Sequence, residues 1–229
     1  MVPHAPLLLP EVGGSRGAAV AAAVKAVDLS GAGAIVLASP HGSVSGVYRR
    51  PAGDLDAFGP RGVKVAAEPA EDLGRSLSEA WGRPLLDGGA DHGVVVPLRL
   101  LSASAPVVAV AFEEGVDTHE GVVLAEAVSK LGGAIAFVAS ANLSAGLNDR
   151  SPLPSLEGAA DADAAVIAAL RDDPAALVAR AESLARAGSC AAPTLAAFGS
   201  LFAGRPCDVL AYEHPFGVGY AVARTAGKT

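Results

Sequence analysis

Three stretches of this chain read as apolar runs that do not alternate with polar residues, Ala34 to Ala38, Pro106 to Phe112 and Ala134 to Ala139, and Cys207 to Tyr212 reads as a further strand. Unbroken runs of this length suit strands covered on both faces of a sheet. Between them lie segments with helical spacing. Arg16 to Val27 is Ala-rich, with Ser15 as its N-cap, and Glu71 to Trp81 follows the Glu68-Pro69 turn. A third helix runs from an Asp117 or Thr118 cap to Leu131. Glu157 to Leu170, Pro174 to Ala187 and Pro193 to Phe202 form a helical run with little strand between. Shorter strands are expected at Met1 to Pro3 and Val63 to Ala66, and Val218 to Arg224 pairs with or neighbours Cys207 to Tyr212. Gly42 to Arg61 has no regular pattern and reads as a long loop, of the kind that more often serves function than idles. Strand and helix alternate, so the expectation is a single α/β layered domain over 1–229.

Composition narrows the function classes. The chain has 229 residues, 51% of them hydrophobic, a formal net charge of −7 and a pI near 5.2. That balance argues against nucleic acid as a partner. Cys190 and Cys207 are the two cysteines, with no CxxC pair, which fits a reducing compartment and gives no disulfide framework or zinc ribbon. The first residues lack the basic and apolar regions of a signal peptide. The long uncharged stretches at 29–48 and 131–148 read as strand plus loop, not membrane spans. A cytoplasmic protein without membrane contact is expected.

The candidate chemistry sits at strand ends. Ser39-Pro40 stops the first long strand and His41 follows at its carboxyl end, where open α/β sheets bind ligands. Val2-Pro3-His4 and Tyr212-Glu213-His214 are placed alike. Two histidines and a carboxylate past apolar runs are the residue types of a two-His-one-carboxylate iron site. In an extended Tyr212-Glu213-His214 the last two side chains point to opposite faces. A carboxylate ending an apolar strand must be paired or metal-bound, which favours Glu213 as the ligand; an ion pair with Arg224 is the alternative. His92 stands in Gly88-Gly89-Ala90-Asp91-His92-Gly93, which is also ordinary turn chemistry, and His119 reads as solvated. Gly13-Gly14-Ser15-Arg16-Gly17 matches GxSxG without the preceding strand of a nucleophile elbow. The terminal Gly-Lys-Thr lacks the rest of a P-loop, and no GxGxxG opens a helix.

Several stretches, in order, resemble the class III extradiol ring-cleavage dioxygenases, the LigB-type superfamily that also includes the Memo proteins. They are Val2-Pro3-His4-Ala5-Pro6-Leu7-Leu8 with Pro10-Glu11, Ser39-Pro40-His41, Asp91-His92-Gly93 with Val96-Pro97-Leu98, Ser140 to Leu147, and Tyr212-Glu213 with Pro215 to Tyr220. The resemblance implies an α/β/α sandwich around a mixed central sheet. It implies Fe(II) held by His4, His41 and Glu213, and His92 in the pocket as the catalytic residue; a zinc site that also uses His214 is the alternative to iron. It also implies a catechol-like aromatic substrate cleaved by dioxygen. Asn142, which stands where the family has aspartate, and His214 are weaker candidates for substrate contact. Relatives are commonly dimers or larger, and the Ala-rich run from Glu157 to Phe202 offers a face to a second copy. One departure stands out. The family's Ser-Gly-Asp-Leu-Ser-His is Ser140-Ala141-Asn142-Leu143-Ser144-Ala145 here, so Ala145 replaces the acid/base histidine. The alternative function is therefore a metal-binding, Memo-like interaction protein without ring cleavage.

Overall fold

The computed structural model describes residues 1–59, 61–102 and 104–225. The strands are β1 (Ala34–Gly42), β2 (Gly46–Tyr48), β3 (Ala52–Asp54), β4 (Lys64–Ala66), β5 (Leu85–Leu86), β6 (Val107–Glu113), β7 (Ile135–Ala139), β8 (Cys207–Glu213) and β9 (Tyr220–Thr225). The helices are α1 (Pro10–Gly13), α2 (Ala18–Lys25), α3 (Glu71–Trp81), α4 (His92–Leu100), α5 (Thr118–Ser129), α6 (Ala159–Asp172), α7 (Leu177–Arg186) and α8 (Ala192–Leu201). Five strands form a mixed sheet in the order β5-β2-β6-β1-β7, with β1 parallel to β6 and β7, and β2 antiparallel to β6. Helices flank it, so the fold is an α/β sandwich.

The side-chain period of two divides each central strand between two cores. Val36, Ala38, Val108, Val110 and Phe112 face a core built with α3 and α5 to α8. Ile35, Leu37, Val107 and Ala109 face the other, built with α2, α4 and the first residues of the chain. Both faces are covered, which is why β1 and β6 carry apolar residues without alternation.

Residues 1–3 join the central sheet to the β8–β9 hairpin. The Val2 N–H donates to the Ala139 carbonyl at 2.9 Å, and the Ala141 N–H donates to the Val2 carbonyl at 2.8 Å. On the other side the Ala223 N–H donates to the Met1 carbonyl at 3.1 Å. Accordingly β9 also splits between the cores, with Ala221 and Ala223 in one and Tyr220 and Val222 in the other. The carboxyl ends of β1, β6 and β7 and the residue after this N-terminal bridge all reach one rim of the sheet.

Three expectations change. The 42–61 stretch is not simply a loop, because it contains β2, a member of the central sheet, and β3, which pairs with β4. A three-residue strand is too short to show a period, and Gly46 is what admits it: a Cβ there would stand 2.7 Å from the Pro84 carbonyl. Pro40 does not stop β1, which runs on to Gly42 through a register shift between Ser39 and Gly42. Proline within a sheet belongs at such irregularities because it cannot donate to the ladder. The helix expected at 16–27 spans Ala18–Lys25, with Gly17, not Ser15, at the N-cap.

No helix among the described residues is long and apolar enough to cross a membrane. Helices α5 and α8 pack closely, and a Cβ on Gly121 would stand 2.0 Å from the Pro193 carbonyl. Both partners are backbone held in helices, so neither can yield cheaply. Gly121→Ala is expected to destabilise the fold by about 1–3 kcal/mol, read as a lower urea midpoint with unchanged slope.

Candidate metal centre

His4 and His41 meet at the rim because their strands end there. Their Nε2 atoms stand 3.1 Å apart and the two rings are nearly perpendicular, with an interplanar angle of 89°. His4 is buried, and its backbone N–H donates to Asn142 Oδ1 at 3.0 Å. The His41 N–H donates to Ser39 Oγ at 3.2 Å.

The tautomer of His4 follows from a proline two elements away. Pro97 lies inside α4 and has no N–H to give to the Gly93 carbonyl four residues earlier. The Ser140 hydroxyl takes that carbonyl instead, at 2.6 Å. Its one proton being spent there, Ser140 Oγ can only accept from His4 Nδ1, 3.0 Å away. His4 therefore carries its proton on Nδ1 and presents the Nε2 lone pair to His41. The carboxylate of Glu114 lies 3.5 Å from His41 Nδ1 and favours the same tautomer there. The two Nε2 atoms face one another at 3.1 Å, a separation that a bridging cation fits.

Cys190 supplies a third donor, its Sγ 3.5 Å from His4 Nε2. His4, His41 and Cys190 form a group whose ligand atoms all lie within 4.8 Å of one another and that could hold a metal ion. The spacing fits a single ion. Two nitrogens each ~2.1 Å from one metal, at an angle between ~90 and ~110°, stand about 3.0–3.4 Å apart. A nitrogen and a thiolate sulfur at ~2.1 and ~2.3 Å stand about 3.5 Å apart at a similar angle.

Burial sets the protonation states. It holds His4 neutral by driving its pKa well below the usual histidine value, and the neighbouring His41 and His92 add to the shift. His92 is lowered to about 4, chiefly by burial and then by His41. Burial pushes the Cys190 thiol up to about 12, with the Glu114 and Asp91 carboxylates contributing. Metal ligation requires neutral imidazole and thiolate. Burial already holds His4 in that state, and the thiol would lose its proton to solvent as the ion binds.

The centre opens on a cavity of about 570 Å³ lined by His41, Tyr48, Asp91, His92, Glu113 and Glu114, among others. Asp91 is the N-cap of α4. Its Oδ1 accepts from the Gly93 N–H at 2.7 Å and the Ser39 hydroxyl at 2.6 Å, and its Oδ2 accepts from the Tyr48 hydroxyl at 3.2 Å. This places His92 in the first turn of a helix, 4.3 Å from the His41 ring, with the half-exposed Phe58 ring 5.2 Å beyond. Val94, Val95 and Val96 are poor helix formers, but all three are fully buried in α4. Packing has overridden propensity.

Of the residues expected at the site, His4, His41 and His92 come together with Asn142 beside them, and Glu213 and His214 do not join the group. Glu213 is outside the metal-ligand group; it lies on β8, in register with Tyr220 on β9. The neighbouring Tyr212 turns towards α6, where its hydroxyl donates to Asp163 Oδ2 at 2.7 Å. His214 lines a separate cavity along α6 with Leu147, Ile167, Arg171 and Tyr212. Asn142 holds the His4 backbone in place, and its own carbonyl accepts from the Ser189 hydroxyl at 2.7 Å. Sequence reasoning missed Cys190 and Ser140 as functional residues. The signal for Cys190 was the Gly188-Ser189 break between two Ala-rich helices, just before Pro193.

No family model matches the chain, and no curated protein matches it in sequence. Among solved structures it is similar to the uncharacterized protein JW3007 from Escherichia coli K12, with a TM-score of 0.58 and 18% identity, over 85% of this chain and 86% of that one. At that identity the similarity is one of fold.

Ser140→Ala removes both the acceptor for His4 Nδ1–H and the donor to Gly93. It is expected to lower metal affinity about 10–100-fold and stability by about 1–3 kcal/mol, measured by chelator competition and by denaturant titration.

Proposed function

We propose that this chain binds one transition-metal ion through His4, His41 and Cys190 and oxidises a small catechol-like aromatic in the adjoining cavity. The observation that carries the proposal is the pair of imidazole Nε2 atoms held 3.1 Å apart, at the mouth of a cavity walled by a third imidazole. The reaction follows the family resemblance: extradiol ring cleavage with ferrous iron, in which both atoms of dioxygen enter the opened product. When bound, the ion would draw substrate and dioxygen together on the side of the site that the three donors leave open.

The protein's own groups then have separable tasks. His92 lines the cavity with its ring 4.3 Å from that of His41, so it is the imidazole placed to accept a phenolic proton. Phe58 packs edge-on against His92 and gives an aromatic substrate a rim to lie against. Asp91 fixes the start of the helix that carries His92, and Tyr48 is bonded to Asp91 from the opposite wall. Ser140 and Glu114 orient the two histidine ligands.

A second reading is favoured by two residues. Cys190 is a soft donor that suits zinc or copper(I) better than iron, and Ala145 leaves the family's acid/base position empty of chemistry. On that reading the metal is kept and ring cleavage is not.

Oxygen uptake by the ferrous-loaded protein with a panel of catechols separates the two. Ring cleavage predicts uptake coupled to a new absorbing product, with kcat reduced about 10²–10⁴-fold in His92→Ala and iron content unchanged. Stoichiometric iron without uptake on any catechol would leave the second reading. Loss of iron in His92→Ala would make His92 a ligand and not a base.

A further inference from the structure

The metal cavity has a neighbour of opposite charge. A cleft of about 420 Å³ lies between α3 and the sheet, with Leu85, Val107 and Val108 among its apolar lining. Three guanidinium groups, Arg49, Arg50 and Arg75, line it together with one carboxylate, Glu71. The metal cavity is lined by Asp91, Glu113 and Glu114, with no lysine or arginine among the described residues. Tyr48 is the one residue that lines both.

The cleft is kept open by a residue that costs the helix. Gly74 is buried in the interior of α3, where glycine is among the least favourable choices. Close packing does not require it there. A Cβ at Gly74 would meet Val47 at 3.7 Å and Val108 at 4.0 Å, which are ordinary contacts. What a larger side chain would do is fill the cleft.

The charges around it are unequally engaged. Arg49 pairs with Asp87 at 3.1 Å, and Arg75 pairs with Asp72 one turn earlier on α3. Arg50 makes no side-chain ion pair or hydrogen bond among the described residues. At the same end, Ala70 at the N-cap of α3 supplies no side-chain cap to the first-turn amides.

We infer that this cleft binds a small organic carboxylate with an apolar body, at a site separate from the metal centre. The guanidinium fork matches a carboxylate in two parallel hydrogen bonds. The valine and leucine lining takes the apolar body, which a bare inorganic anion does not have. The inference stands independently of which reaction the metal centre performs.

Three probes test it by calorimetry or chemical-shift titration: benzoate, benzylamine and inorganic phosphate. Benzoate is expected to bind the wild-type chain and His41→Ala alike, while benzylamine does not bind and phosphate binds more weakly. Gly74→Leu is expected to abolish benzoate binding by filling the cleft. Arg50→Gln, an exposed substitution that leaves the core untouched, is expected to weaken it about ten- to hundred-fold. Benzoate affinity unchanged in Arg50→Gln would overturn the inference, as would binding lost in His41→Ala. Phosphate binding as tightly as benzoate would overturn the assignment of an apolar body.

Discussion

The site depends on one unsatisfied carbonyl. Pro97 withholds the hydrogen bond that Gly93 would receive in a regular helix, and Ser140 supplies it from the end of β7. That single choice fixes the direction of the Ser140 proton, hence the proton on His4 Nδ1, hence the lone pair at His4 Nε2. The link demands close approach. Gly93 has no side chain because a Cβ there would stand 2.1 Å from Ser39 Oγ. Ser39 in turn is bonded to Asp91 and to the backbone of His41. One short stretch of α4 thus reaches the strand ends that carry both histidines, and orients the ring of one and the backbone of the other.

The sheet makes this convergence possible. β1 and β7 are parallel, so His41 and Ser140 leave the sheet at the same edge, and the bridge of residues 1–3 brings His4 alongside. The two histidines come from distant parts of the chain, but both follow buried segments hydrogen-bonded into the sheet. A rigid base of this kind holds donor atoms within tenths of an ångström, which metal selectivity and proton transfer both require. The loop before α8 adds Cys190 from the helical side, so the donor set joins the sheet to the helix layer packed on it.

Much of the architecture was legible because burial leaves a plain mark. The runs in β1, β6 and β7 suit strands covered on both faces, and α3 spans Glu71–Trp81, as the helix expected after the Glu68-Pro69 turn does. The strand-end position of His4 and His41 was legible for the same reason. Other parts left no such mark. β2 is too short for a period, and the valines of α4 favour a strand until their packing is known. Asn142 and His214 carry side chains suited to a pocket, but Asn142 is used to hold the His4 backbone and His214 faces α6. Glu213 sits at the end of an apolar strand as expected, yet a third donor near the histidines comes from Cys190, whose role depends on how two helices pack.

The most direct test of the account is an anaerobic titration with cobalt(II), followed by visible absorption, on the wild-type chain and on Cys190→Ser and Glu213→Gln. A centre built from His4, His41 and Cys190 predicts saturation near one equivalent. It also predicts a sulfur-to-cobalt charge-transfer band that disappears in Cys190→Ser and survives in Glu213→Gln. Saturation without that band, together with binding lost in Glu213→Gln, would contradict it and return the carboxylate to the metal.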